Sequence, residues 1–391
     1  MAGSRQIERV IGTIGKFAGW VTSREMEEAQ ARAEACNFLF GNPHDVAPGA
    51  YVDALTRGTQ PTGPNHFAYK MNEPDAASTV AAGLRERFGL GFRGEDLMMT
   101  SGNFAGLSIL LTALTDPGDE VVFISPPWFF YETLIVAAGA TPVRAYADRE
   151  SFDLDLDAVA AAVTERTRAI IVNSPNNPSG RIYGRDLLDR LGGLLRDASD
   201  RHGRPIWLLS DEAYNRIVFD GRTFETPVAS YPWSFLVYTY GKTHLAPGMR
   251  FGYIAPSPDL PDLGELRMPL LVSQIANGWA FPVAPLQYAV ADLDRFVVDV
   301  GRLQARRDRL VTELREQGYE LIEPEGTFYI MVRSPIVDDE AFCRTLASHD
   351  VLVLPGAMFE MPGWFRISVT ASDDMVERSI PAFAKAIAEA R

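Results

Sequence analysis

The chain has 391 residues, about two to three times a typical domain, and its 47% hydrophobic and 23% charged content is that of a folded globular protein, not a disordered or fibrous one. A formal net charge of -14 opposes binding to nucleic-acid phosphates or anionic lipid, so a small molecule is the expected partner. Cys36 and Cys343 stand far apart, with no C-x-x-C pair and no histidine cluster, which argues against a disulfide framework or a metal centre.

Along residues 1–21, Arg5, Glu8, Arg9 and Lys16 interrupt the apolar residues. The uninterrupted core of a signal peptide is missing, and no later apolar run is long enough to span a bilayer, so the expected compartment is the cytoplasm. Residues 11–20, with Gly12, Gly15 and Gly19, read in two ways. They form either a flexible segment that touches a ligand through Phe17 or Trp20, or an arm packed on its own domain or on a second subunit.

From about 75 to 254, short apolar β-branched runs alternate with helical patterns, the rhythm of an α/β sheet. Strands are expected at 121–125, 168–173, 206–210, 235–239 and 251–255, several apolar enough to be covered on both faces. Helices are expected at 103–115 and 186–198. Trp279 and Phe281, after Asn277-Gly278, are bulky enough for the apolar wall of a site, but read first as core or interface residues. Residues 286–317 carry apolar positions at three- and four-residue spacing and predict one long helix leading out of the large domain. The last section predicts a strand at 327–332, a helix at 338–348, a strand at 365–369 and a final helix opening at Ser372-Asp373-Asp374. The expected division is an arm and part of a small domain at 1–45, a large domain at 46–285 and a small domain at 286–391.

Three polar segments follow apolar strands. Ser174-Pro175-Asn176-Asn177-Pro178-Ser179-Gly180 comes after Ala169-Ile170-Ile171-Val172. By composition it is a turn, yet the carboxyl ends of parallel strands are where open α/β sheets bind ligands. Leu208-Leu209-Ser210-Asp211-Glu212-Ala213-Tyr214 repeats the placement, as does Tyr238-Thr239-Tyr240-Gly241-Lys242, with Arg250 eight residues after the lysine. An Asp at a strand end is ordinarily a helix cap and a Lys ordinarily solvated; three polar strand ends in succession point to a site.

In order and spacing these segments resemble the motifs of the fold-type I, class I and II aminotransferase family, from Asn37-Phe38-Leu39-Phe40-Gly41-Asn42-Pro43 to the final helix. The resemblance implies a large domain with a mainly parallel seven-stranded sheet flanked by helices, a smaller α/β domain, and pyridoxal 5'-phosphate as cofactor. It makes Lys242 the Schiff-base lysine and proton carrier, and Asp211 the carboxylate facing the pyridine nitrogen. Tyr214 and Asn177 match the residues that hydrogen-bond the ring oxygen. Ser101, Gly102 and Asn103, ahead of a helical pattern, would cradle the phosphate with Arg250 and Thr239. Trp128 matches the aromatic that stacks on the ring, although such a Trp is otherwise a core residue. Arg366, inside an apolar strand, matches the clamp on the substrate α-carboxylate, with Asn177. Gly41 either offers its backbone to that carboxylate or is an ordinary turn glycine. Tyr69 matches the tyrosine that reaches the phosphate of a second subunit, which implies a homodimer with shared active sites. Gly241 departs from the family pattern, where a serine usually precedes the lysine.

The expected reaction moves the amino group of an L-amino acid to a 2-oxo acid. The alternative on the same residues is elimination, replacement, cyclisation or oxidation of an amino acid. A regulatory module fused to a DNA-binding domain is disfavoured by the short segment before Gly41 and by the acidic charge. Nothing in the sequence chooses among acidic, aromatic and cationic amino acids.

Overall fold

The computed structural model describes residues 3–390; Met1, Ala2 and Arg391, the extreme ends of the expected first and last segments, lie outside it. In chain order its strands are β1 (Cys36–Asn37), β2 (Met98–Thr100), β3 (Glu120–Ser125), β4 (Thr141–Tyr146), β5 (Thr167–Asn173), β6 (Trp207–Asp211), β7 (Ser234–Thr239), β8 (Gly252–Pro256), β9 (Leu321–Ile322), β10 (Tyr329–Arg333), β11 (Val351–Leu352), β12 (Leu354–Pro355) and β13 (Trp364–Ser368). Strands β2 to β8 form a seven-stranded sheet in the order β2-β8-β7-β6-β5-β3-β4. β3, β4, β5, β6 and β7 run parallel, while β8 runs antiparallel to both β7 and β2.

β3, β6, β7 and β8 are buried along their whole length, as their apolar runs require. One face packs on the helix Asn103–Leu114 and the other on Arg185–His202. Gly106 makes the first contact possible, because a Cβ there would stand 2.6 Å from Val237 Cγ1. All five expected strands and both expected helices of this region are present, with ends shifted by at most four residues. β2 and β4 were not expected; each lies at an edge of the sheet.

The parallel register sets the site. Asn173 at the end of β5 stands opposite Asp211 at the end of β6, and Asp211 opposite Val237 of β7, so their following loops open at one edge.

A second unit holds the antiparallel sheet β12-β13-β10-β9 and the parallel pair β1-β11. Its core joins Phe38 and Leu39 to Leu346, Phe365 and Phe383, so an early strand and the last helix, Asp373–Ala390, share one interior.

Two expectations change. The single helix at 286–317 is replaced by Ala284–Tyr288, Val290–Leu293 and Val300–Glu316. Tertiary bonds break the repeat: Asp294 accepts a hydrogen bond from the Tyr240 hydroxyl at 2.9 Å, and the Val298 N–H donates to Thr243 O at 3.1 Å. Asp299 then caps the third piece by accepting from the Arg302 N–H at 2.9 Å. The glycine-containing N-terminus is the helix Arg5–Val21, not a flexible segment. It packs on the helix Tyr131–Ala137, with Gln6 Nε2 donating to Val136 O at 2.6 Å, and its Trp20 is buried in the core of the second unit.

Among the described residues no helix is long and apolar enough to cross a membrane, and no group of three or more His, Cys, Asp or Glu is placed to hold a metal ion.

Candidate active site

The loops at the carboxyl edge of the large sheet and the strand β13 enclose a cavity of 330 Å³. Gly41, Asn103, Trp128, Asn177, Asp211, Tyr214, Thr239, Lys242, Arg250 and Arg366 all line it, although they are spread over more than three hundred positions of the sequence.

Lys242 lies in the short helix Tyr240–Thr243 that follows β7 directly. Thr239 starts that helix, its Oγ1 accepting from the Gly241 N–H at 3.2 Å. The lysine ammonium stands 5.9 Å from the Tyr214 ring centroid and 5.8 Å from that of Phe328. Among the described residues it has no ion-pair partner within 4.0 Å.

Asp211 closes β6 and is 3% exposed. Its carboxylate accepts from the Tyr131 hydroxyl at 2.6 Å, from Asn103 Nδ2 at 2.7 Å and from the Ala213 N–H at 3.2 Å. Burial pushes its pKa up, and these donors together with the Lys242 charge offset part of the rise. No cation of the described residues pairs with it, so a charged form here is completed by a cationic ligand group.

Arg366 is buried in the middle of β13, facing Met331 of β10 and Leu354 of β12 in register. Its guanidinium donates to Asn177 Oδ1 at 2.9 Å and to Leu39 O at 3.0 Å, while Nε has no partner. Burial pulls its pKa down, partly offset by the Tyr329 and Tyr214 phenols; no carboxylate of the described residues neutralises it. A buried guanidinium with a vacant donor is built to receive a carboxylate.

The anion end is assembled from three segments. Gly102 has φ of 84°, and a Cβ there would stand 3.3 Å from Arg250 Nη2 and 3.5 Å from Thr239 Oγ1, so only glycine leaves room for an anion to approach the N-terminus of Asn103–Leu114. Arg250 itself donates to Pro247 O at 2.8 Å and has no acidic partner among the described residues. Ser101 precedes this turn without lining the cavity. Gly241 is packed: a Cβ would lie 3.1 Å from Pro247 Cα and 3.3 Å from Ala246 O. Gly41 is likewise no ordinary turn glycine, because its Cβ would fall 2.3 Å from Phe328 Cε2.

Tyr69 stands apart, 87% exposed, with its ring 4.9 Å from that of Phe281. Trp279 is half-buried against the core under the large sheet. Two residues of the site were not singled out from the sequence. Tyr131 supplies the shortest bond to Asp211, and its place three residues after Trp128, at the start of the helix Tyr131–Ala137, was the available signal. Tyr329 accepts from the Tyr214 hydroxyl and the Gly41 N–H, but lies in an apolar strand that reads as core. Burial pushes the Tyr329 phenol up, yet the Lys242 and Arg366 charges and the Tyr214 hydrogen bond together hold it below its ordinary value; Tyr214, the donor, is pushed well above its own.

Residues 62–383 match the model of the family described as aminotransferase class I and II. The aspartate/prephenate aminotransferase of Thermus thermophilus is 27% identical over 381 residues, covering 95% of each chain. An amino transferase structure from Eubacterium rectale superposes with a TM-score of 0.88 at 30% identity, covering 96% of this chain and 98% of its own. The aspartate aminotransferase of Thermus thermophilus, solved with maleate, gives a TM-score of 0.82 at 25% identity over 99% of this chain and all (100%) of its own. With the fold, the cavity and the matched span in agreement, the chain belongs to the class I and II aminotransferases and is a pyridoxal-phosphate-dependent enzyme of that family.

Proposed function

We propose that Lys242, Asp211 and Arg366 carry the transfer of an amino group from an L-amino acid to a 2-oxo acid. The observation behind this reading is that a lysine, a buried carboxylate and a buried guanidinium, none of them with an ion-pair partner among the described residues, converge on one cavity. Their vacancies fit pyridoxal phosphate: Asp211 would hold the protonated ring nitrogen, Asn177 and Tyr214 the ring oxygen, Trp128 the ring face. Gly102, Asn103, Thr239 and Arg250 would hold the phosphate, with Ser101 setting the turn.

When bound, the cofactor supplies an aldehyde that takes up the substrate amine and a ring that accepts the electrons of the Cα–H bond. Arg366 and Asn177 orient the α-carboxylate so that this bond faces Lys242. Lys242 Nζ would take the proton from Cα as general base and, as general acid, return it to the carbon that the cofactor's aldehyde supplies. Tyr131 and Asn103 hold the Asp211 carboxylate ionised and aimed at the ring nitrogen, against the cost of burying it. The Gly41 N–H, through Tyr329, steadies the Tyr214 hydroxyl.

We further propose a cytoplasmic homodimer in which Tyr69 reaches the partner's phosphate. The support is an exposed apolar stripe, Met268, Val272 and Ile275, along the helix Leu263–Ala276, together with the exposed Tyr69–Phe281 pair. We also propose a division into units at 1–45, 46–285 and 286–391, supported by a core around β10 and β13 that is distinct from the core under the large sheet.

The test is an absorption spectrum with added pyridoxal phosphate. A band absent in Lys242→Ala, lost on adding one amino acid and restored by a 2-oxo acid, supports transamination. Ammonia release without that restoration points to elimination, and no lysine-dependent band removes the assignment of Lys242.

A further inference from the structure

The cavity that holds the three charges continues into a wall of aromatic rings. Phe359 lies 4.4 Å from the Arg366 guanidinium carbon and 5.5 Å from the Phe129 ring. Phe129 stacks on Phe17 at 4.3 Å, and Phe17 meets Phe40 at 6.1 Å and Phe130 at 5.8 Å. Phe17, Phe40, Phe129 and Phe130 line the same cavity as Lys242. Phe359 is fully buried and backs the wall without lining the cavity, joining Phe129 to the carboxylate clamp.

Its parts come from distant segments. Phe17 is carried by the helix Arg5–Val21, which is fixed over the site by Gln6 on Val136 O and by the Thr13–Thr133 hydroxyl pair at 2.9 Å. Among the described residues the cations lining the cavity are Lys242, Arg250 and Arg366, and each already has a task at the cofactor or the α-carboxylate. Within this chain, a second carboxylate placed along this wall would lose its water and meet ring faces, with no cation of the same chain beside it. An apolar ring in the same place would bury its surface and find edge and face partners.

We propose that this site takes amino acids, and the matching 2-oxo acids, whose side chain is apolar and of aromatic size, held against Phe17, Phe40 and Phe129, in preference to dicarboxylic ones. The selection follows from this chain's own wall and departs from the aspartate in the names of its relatives. It rests on Arg366 holding the α-carboxylate, as proposed above.

Binding of unreactive carboxylates to the holoenzyme, followed by calorimetry, tests it apart from turnover. The expected result is that 3-phenylpropanoate binds at least tenfold more tightly than succinate. Phe17→Ala should cost 3-phenylpropanoate about tenfold, a larger loss than for propanoate, and Phe17→Arg should shift the preference toward succinate. Succinate binding the tighter in the unaltered enzyme overturns the proposal, as does a preference that neither Phe17 variant changes. A parallel readout is loss of the cofactor band with L-phenylalanine and L-aspartate. Reaction with L-aspartate alone overturns the side-chain class and leaves transamination standing. Reaction with L-phenylalanine ahead of L-aspartate supports both. If no amino acid reacts and Arg366→Ala leaves carboxylate binding unchanged, the clamp and the function it serves both fail.

Discussion

Arg366 lies across the Tyr329 ring, its guanidinium carbon 3.8 Å from the ring centroid, while the hydroxyl of the same tyrosine accepts from Tyr214 and from the Gly41 N–H. One side chain thus supports the residues proposed to hold the substrate carboxylate and the cofactor ring oxygen. A desolvated cation–π contact is worth about 2 kcal/mol, and about 1.4 kcal/mol is a factor of ten in affinity. Tyr329→Leu should weaken binding of carboxylate ligands by about tenfold, whereas Tyr329→Phe, which keeps the ring, should cost under about threefold. Equal losses in the two variants, measured by calorimetry, would contradict a role for the ring.

Arg366 has no counterion among the described residues, so its removal should affect ligand binding more than folding. Arg366→Met should weaken carboxylate binding by about 2 to 5 kcal/mol, the usual cost of truncating one partner of a buried charge pair. The loss of folding stability without ligand should be under about 1 kcal/mol, because the variant also removes a buried, unneutralised charge. Urea unfolding of the cofactor-free protein, set beside ligand titration, separates the two.

Glu212, next to Asp211, is turned the other way and buried among the donors Ser210 Oγ, Asn215 Nδ2 and Thr226 Oγ1. Burial raises its pKa from 4.5 to about 7, the three hydrogen bonds offsetting part of the rise. The folded chain then holds this proton more tightly than the unfolded one, so its contribution is fully present below the unfolded pKa and declines as pH rises to about 7. A decline on the order of 2 kcal/mol is expected, absent from Glu212→Gln. The difference between the two unfolding curves, measured at several pH values, should therefore slope downward for the unaltered protein and vanish if Glu212 titrates normally.

Gly241 leaves little space where most relatives are expected to carry a serine. Gly241→Ser places a Cβ 3.1 Å from Pro247 Cα, in the loop that carries Arg250. The variant should lose about 1 to 3 kcal/mol of stability, the cost of overpacking a fitted site, and should retain pyridoxal phosphate less well on gel filtration. Unchanged retention would show that the loop yields without moving the anion site.

The strands at 121–125, 168–173, 206–210 and 235–239 could be read from the chain because each is a continuous apolar run, and a strand covered on both faces needs nothing else. Lys242, Asp211 and Asn177 drew attention for a related reason: each sits where an apolar run stops or shortly after, and three such polar ends in succession point to a site, whereas Arg250, just ahead of β8, was singled out by the family resemblance. The break between Leu293 and Val300 was not legible. The helical spacing continues through it, and only the bonds of Asp294 to Tyr240 and of Val298 to Thr243 turn the chain aside.

Local pattern thus determined five of the seven strands of the large sheet and the loop positions that open on the cavity, because burial on both faces is written in a few consecutive residues. The tertiary structure decided what surrounds them: Tyr131 on Asp211, Tyr329 under Arg366, and Phe17 closing the wall. Each of these is an aromatic residue in an apolar setting, where periodicity indicates burial and carries no information about which distant side chain it will touch.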